Sequence, residues 1–200
     1  MRHLEAILAV VPASAAGVRL RHLSGLASML AASGPVGRLV TSSLGAARPV
    51  RAILFNKSPD NNWALGWHQD RIIAVQKRYD VPGFSHWTTK AGMLHVAPPI
   101  ELLARMITVR VHLDPVGPDN APLLVAPGSH RLGLVAEGDL ATIVARCGTV
   151  ACLADRGDAW LYSTPILHAS QAATRPTQRR VLQVDYSADE LPGGLEWLGV

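Results

Sequence analysis

From residue 50 onward the chain never sustains a long apolar run. It breaks instead into short apolar or alternating stretches at 50–57, 72–76, 94–97, 106–113, 123–126, 149–153, 159–162 and 181–186, with Pro, Gly, Asp and Asn between them. Stretches of this length suit strands better than helices, and many short strands joined by turns close into a sandwich or a barrel. The expected fold class is therefore mainly β. No internal repeat or low-complexity tract interrupts the pattern.

Before residue 50 the character differs. Leu20, Leu23, Ala27 and Leu30 recur at three- and four-residue steps, which predicts an amphipathic helix over 17–32, ended by Gly34-Pro35. A second short helical piece is expected over 36–44. The 200 residues make a single domain, with a helical N-terminal part over 1–49, a β core over 50–187 and a C-terminal tail over 188–200. The longest irregular piece, 80–99, holds Phe84, Trp87, Lys90 and His95. Aromatic content argues against disorder, and a long loop in a compact domain usually serves function, so the stretch reads as a lid over a pocket mouth. The competing reading is a packed surface loop anchored by Trp87.

Charge and cysteine usage narrow the partners. The net charge of +4 comes from 16 arginines and only three lysines against 15 acids, and the arginines are scattered rather than gathered in one basic stretch. Nothing in that distribution asks for nucleic acid, so the expected partner is a small molecule, with the protein a monomer or a weak homodimer. Cys147 and Cys152 match no zinc spacing and read as small buried hydrophobes in a reduced, cytoplasmic setting. No run is long enough for a membrane span. Arg2, the apolar 6–11 and Ala13-Ser14-Ala15 have the outline of a short signal peptide, but Glu5 interrupts the basic end and the apolar part is short.

Chemistry concentrates at Gly66-Trp67-His68-Gln69-Asp70. In an extended segment His68 and Asp70 point to the same side, so an imidazole and a carboxylate can converge on one ion. An oxygen-activating iron site needs a third ligand on the same octahedral face, and His168 in Ile166-Leu167-His168-Ala169-Ser170 is the best candidate. Eleven residues later Arg179 offers a guanidinium that can hold a carboxylate through two parallel bonds.

A His-x-Asp pair, about a hundred residues, then a His with an Arg at plus eleven resembles the phytanoyl-CoA dioxygenase family of iron(II)- and 2-oxoglutarate-dependent oxygenases. Asn62-Trp63, Arg110-Val111-His112-Leu113-Asp114, Pro127-Gly128-Ser129-His130 and Arg179-Arg180-Val181-Leu182 resemble bacterial members over roughly 50–187. The resemblance implies a double-stranded β-helix, the jelly-roll or cupin-like core, with the N-terminal helices packed on the larger sheet. It implies Fe(II) held by His68, Asp70 and His168, with O2 and 2-oxoglutarate consumed and succinate and CO2 released as a C–H bond is hydroxylated. Ser170, on the same side of its strand as His168, is placed to donate to the 2-oxoglutarate carboxylate. Arg179 would hold the distal carboxylate, Trp87 loosely matches a pocket tryptophan, and Asn56 and Lys57 are weaker co-substrate candidates. Related halogenases carry a small residue where this chain has Asp70, so the carboxylate favours hydroxylation.

Three competing assignments follow from the same residues. His112 and Asp114 form a second His-x-Asp pair, although Asp114 precedes Pro115 at an expected turn. The histidines would be ordinary polar positions in a non-enzymatic or differently metallated jelly-roll binding protein. An AlkB-like nucleic-acid demethylase would keep the chemistry but should carry a basic aromatic stripe, which is not evident. Of the adjacent arginines only one can face a pocket: Arg179 shares its side with Val181, Gln183 and Asp185, while Arg180 shares its own with Leu182, Val184 and Tyr186. If N-terminal helices cover the outer face of the sheet, the greasy side packs outward on them and Arg179 faces inward.

Overall fold

A computed structural model describes residues 1–12 and 14–200; Ala13, part of the signal-peptide outline above, lies outside them. In chain order the strands are β1 (Gly17–Arg19), β2 (Arg48–Lys57), β3 (Leu65–His68), β4 (Ile73–Ala74), β5 (Ser85–Lys90) and β6 (Met93–Ala97). There follow β7 (Ile107–His112), β8 (Leu123–Val125), β9 (Val150–Cys152), β10 (Ala159–Ser163), β11 (His168–Ser170) and β12 (Arg179–Ser187). They form a five-stranded sheet in the order β1-β2-β12-β7-β10, a four-stranded sheet β3-β11-β8-β9 and a three-stranded sheet β4-β6-β5, with every pairing antiparallel. The architecture is the mainly β jelly roll expected.

The longest strands, β2 and β12, set the face that matters. Lys57 stands opposite Arg179, Phe55 opposite Val181, Ile53 opposite Gln183 and Arg51 opposite Asp185. Because side chains alternate along a strand, this set shares one face, joined by Thr108 and Arg110 of β7, which stand opposite Asp185 and Gln183. The alternate set, Ala52, Leu54, Leu182 and Val184 with Val109 and Val111, packs in one core with Leu4, Leu8, Leu20, Leu26, Leu30 and Val40. Leu182 and Val184 are completely buried there, each contributing about 1.5–3 kcal/mol by leaving water. The N-terminal segment thus covers the outer face of the large sheet, and the polar set is turned toward the four-stranded sheet.

Helices α1 (Arg2–Leu8), α2 (Leu26–Leu30) and α3 (Thr41–Leu44) supply that cover, with a 3-10 turn at Gly37–Val40. The expected helix over 17–32 is shorter than its periodicity suggested. Its first turn is instead β1, an edge strand that pairs Val18 with Leu54 and Arg19 with Ile53. His22 and Gly25 both have positive φ, at 53° and 80°, which a right-handed helix cannot accommodate.

The stretch 80–99 is likewise more ordered than expected. It contains the β5–β6 hairpin, whose turn residues Ala91 and Gly92 both have positive φ, at 50° and 73°, as a tight two-residue hairpin turn requires. Two further helices, α4 (Ile100–Ala104) and α5 (Leu140–Cys147), carry the chain between strands. The C-terminal residues pack back, with Trp197 joining Val50, Ile73, Val75 and Val96 in a second core. Cys147 and Cys152 are both free. No helix among the described residues is long and apolar enough to cross a membrane.

Candidate functional site

Between the large sheet and the four-stranded sheet lies a cavity of about 370 Å³ lined by His68, Asp70, His168, Ser170 and Arg179, together with Arg51, Phe55, Trp63, Arg110 and Gln183. Strand pairing explains the first contact. His168 opens β11 directly opposite His68 of β3, so two residues a hundred positions apart become cross-strand neighbours, and their ring centroids lie 4.2 Å apart.

The two imidazoles are oriented alike. His68 Nδ1 lies 2.8 Å from the Gly66 carbonyl and His168 Nδ1 lies 2.9 Å from the Ile166 carbonyl. A carbonyl only accepts, so each Nδ1 carries the proton and donates it, leaving each Nε2 lone pair for a ligand. Burial pushes His168 down to about 4 against the opposing pull of Asp70, so its imidazole is neutral at physiological pH. The strand bearing it is braced by the Pro127-Gly128-Ser129-His130 turn, where the Leu167 N–H donates to Ser129 Oγ at 2.9 Å. His130 itself stands outside the cavity.

Asp70 follows the end of β3. Between it and His68, Gln69 turns the other way: its amide donates to the Gly133 and Pro165 carbonyls at 3.0 and 2.8 Å and accepts from the Val135 N–H at 2.9 Å. These three bonds fix the backbone so that both flanking side chains face the cavity. Among the described residues the Asp70 carboxylate is engaged on one oxygen only. Arg51 Nη2 lies 3.0 Å from Oδ2 and Gln183 Nε2 lies 3.3 Å from the same atom, leaving Oδ1 for another partner. Burial alone would raise its pKa, but Arg51, then His168 and His68, hold the carboxylate down at about 2. Arg51 is anchored in turn by Asp185, which accepts from Thr108 Oγ1 at 2.8 Å, and Gln183 accepts from Arg110 Nη1 at 2.7 Å.

As placed, no set of three His, Cys, Asp or Glu side chains among the described residues closes on a single point. The donor chemistry nevertheless fits a ferrous ion. Two neutral imidazoles present free Nε2 atoms, and an ionised carboxylate presents one free oxygen while its other oxygen is held from behind by a guanidinium and an amide, the support that metal-ligating carboxylates commonly receive.

At the other end of the cavity Arg179 is 1 % exposed, and its Nε and Nη2 have no hydrogen-bond partner among the described residues. Burial, then Arg110, lowers its pKa to about 9, which leaves it charged at neutral pH. A buried guanidinium with two idle donors is costly unless an anion completes it. Beside it Lys57 Nζ donates to Ser170 Oγ at 2.9 Å and to the Gln171 carbonyl at 2.7 Å, so the Ser170 hydroxyl keeps its own proton to give. Burial, then Arg179 and Arg110, brings Lys57 down to about 8. Phe55 and Trp63 wall this end, with Lys57 Nζ 4.4 Å from the Trp63 ring and the Arg110 guanidinium 5.2 Å from the Phe55 ring.

Two expected co-substrate residues lie elsewhere. Trp87 packs with the second core, with the Arg78 guanidinium 5.3 Å from its ring; Trp63 is the tryptophan that lines the cavity. Asn56 shares the outward face of β2 with Leu54 and stands opposite Arg180, so strand parity turns it away and puts its neighbour Lys57 on the cavity side. The second His-x-Asp pair does not converge on a ligand. Asp114 accepts from Arg180 Nη2 at 2.7 Å and from its Nε at 2.9 Å, while buried His112 stands opposite Val181 and is pushed down to about 4 by burial, then by Arg110 and Arg179. Arg51, Lys57, Gln69, Arg110 and Gln183 complete the site; of these only Lys57 was singled out from the sequence as a co-substrate candidate.

The profile of the phytanoyl-CoA dioxygenase (PhyH) family matches residues 19–181. No curated protein matches the chain. Among solved structures it is similar to iron-bound EctD from S. alaskensis, with 21% identity, a TM-score of 0.62 and coverage of 94% of this chain and 65% of that one. EctD has also been solved with 2-oxoglutarate and 5-hydroxyectoine. Iron-bound HygX from Streptomyces hygroscopicus is 14% identical, with a TM-score of 0.60 and coverage of 93% and 76%. AviO1 from Streptomyces viridochromogenes Tue57 is 22% identical, with a TM-score of 0.54 and coverage of 78% and 58%. The chain spans 30% of the length of EvdMO1, 58% of AviO1 and 65% of iron-bound EctD. At these identities the likeness is one of fold.

Proposed function

Because the chain belongs to the phytanoyl-CoA dioxygenase family, we propose that it is an Fe(II)- and 2-oxoglutarate-dependent dioxygenase that hydroxylates a small-molecule metabolite with release of succinate and CO2. The observation that carries this reading is the buried, partnerless fork of Arg179 in the same cavity as His68, His168 and Asp70. An anion site and a set of metal donors in one pocket suit a carboxylate co-substrate that must meet a metal. The iron held by EctD and HygX and the 2-oxoglutarate held by EctD support the same choice of ligands.

In this reading His68, His168 and Asp70 Oδ1 hold the ferrous ion, which supplies O2 activation coupled to oxidation of the 2-keto acid. The protein contributes position and dryness. Arg179 clamps the distal carboxylate with its Nε and Nη2, the Ser170 hydroxyl donates to the same group, and Lys57 adds a third donor once it turns from the Gln171 carbonyl. Phe55 and Trp63 exclude water from the co-substrate end. A carboxylate at position 70, where related halogenases carry a small residue, would leave no room for a halide, which favours hydroxylation over halogenation. A cavity of about 370 Å³ lies toward the small end of ligand pockets, which favours a compact substrate.

The test is succinate release from Fe(II) and 2-oxoglutarate, screened against a metabolite library, with the oxidised product identified by mass. Stimulation of succinate release by one compound, matched by a gain of one oxygen in that compound, is the expected outcome. Absence of succinate under every condition, with protein that stays folded, would contradict the assignment.

A further inference from the structure

The charge lining the cavity is strongly one-sided. Arg19, Arg51, Arg71, Lys90, Arg110 and Arg179 face a single lining carboxylate, Asp70. A ferrous dication and a 2-oxoglutarate dianion cancel, so admitting both leaves the positive surplus untouched. Half of the cations are already committed: Arg51 to Asp70 and Asp185, Arg110 to Gln183, and Arg179, by its burial and idle donors, to the co-substrate. The other three are not. Among the described residues Arg19, Arg71 and Lys90 form no ion pair; Arg71 donates only to the Val135 carbonyl, and Arg19 Nε is buried without any partner.

Strand register separates these uncommitted cations from the co-substrate end. Arg19 stands beside Ile53, whereas Arg179 stands beside Lys57, four residues farther along β2, a separation of about 13 Å along the sheet. Arg71 follows Asp70 directly, and Lys90 ends β5 at the exposed hairpin turn. Arg19 is level with Gln183, which supports Asp70, so the surplus gathers beside the iron donors and away from Arg179. That is where the compound to be oxidised must sit.

We infer that Arg19, Arg71 and Lys90 form an anion-recognition site for the primary substrate, which carries a carboxylate or a phosphate. The inference rests on the function proposed above and names the substrate class for the same pocket. An anion there completes the idle Arg19 donor and offsets the repulsion between Arg19 and Arg51. Arg78 and Arg105 take no part: the first stacks on Trp87 and the second pairs with Asp189.

The experiment uses the full chain loaded anaerobically with Fe(II) and 2-oxoglutarate, with loading followed by calorimetry. Matched probes are then titrated in, small carboxylic acids against their primary amides and phosphate monoesters against their parent alcohols, with binding read by tryptophan fluorescence. At least one anionic series should bind about tenfold or more tightly than its neutral partners; which series does so distinguishes carboxylate from phosphate. Arg19→Gln and the more exposed Lys90→Gln should each erode that preference, while the Arg105→Gln control should retain it. Equal binding of anions and neutral partners by loaded protein, or full preference in both pocket variants, overturns the inference alone. Failure to load with Fe(II) and 2-oxoglutarate overturns the functional reading and this inference with it.

Discussion

Arg51 Nη2 stands 3.0 Å from Asp70 Oδ2, while the Nε side of the same guanidinium is held by Asp185. One arginine thus bridges two carboxylates and fixes which oxygen of Asp70 remains free. Supports of this kind commonly matter about 10–100-fold in metal affinity. Arg51→Met should weaken Fe(II) binding by that order, measured by chelator competition on protein checked for folding, since stranding Asp185 also costs stability. Arg51→Lys keeps the charge and should fold better while still losing affinity. Unchanged iron affinity in both variants would leave Arg51 a purely structural ion pair.

Arg179 and Arg180 should separate cleanly. An ammonium cannot reproduce the two idle donors of Arg179, so Arg179→Lys should raise the 2-oxoglutarate Kd about 10–100-fold. Among the described residues Arg180 serves only Asp114, in a partly exposed pair, so Arg180→Lys should leave that Kd alone and cost at most about 1 kcal/mol of stability. Calorimetric titration of both variants decides the point, and reversed effects would mean that β12 presents its other face to the cavity.

The two arginines also show what could be read from residue order. Leu182, Val184 and Tyr186 mark one side of β12 as apolar, which pattern alone would turn inward; the family resemblance, with helices on the larger sheet and an arginine eleven residues past the distal histidine, implies the opposite, and that side does pack with the N-terminal segment. Other features were hidden. A charged residue inside the apolar stretch 50–57 looks like a defect until Arg51 is seen between two carboxylates contributed by distant segments. The choice between Asn56 and Lys57 depends on strand parity at a strand end, where pattern is weakest. β1 is three residues long, too short to show alternation against the helical repeat that overlaps it. The β5–β6 turn uses Ala91 in a conformation usually signalled by Gly or Asn.

Lys57 gives the site a pH dependence. Its pKa is lowered to about 8 by burial and by Arg179 and Arg110, and an arriving dianion favours the protonated ammonium. Affinity for 2-oxoglutarate should therefore be steady below that value and fall as pH rises through it. Calorimetry from about pH 6.5 to about pH 8.5 should show the onset of the decline in wild type and a flatter profile in Lys57→Met, since Arg179, at about 9, stays mostly charged over that range. Identical profiles in the two proteins would remove Lys57 from the co-substrate site.

The β5–β6 hairpin reaches the cavity through Lys90, at its turn. Closing elements sequester reactive intermediates from water, so amide exchange over 85–97 should slow once Fe(II), 2-oxoglutarate and an anionic substrate are present together. Exchange that is unchanged by all three would make the hairpin a fixed wall.

The proposed three-residue iron site is tested most directly by anaerobic calorimetric titration of Fe(II) into wild type and into His68→Ala, Asp70→Ala, His168→Ala and His112→Ala. Wild type and His112→Ala should each bind one ion per chain with the same affinity, and the other three variants should bind none at the same concentrations. Wild-type affinity in any of those three, or its loss in His112→Ala alone, would contradict the site described here.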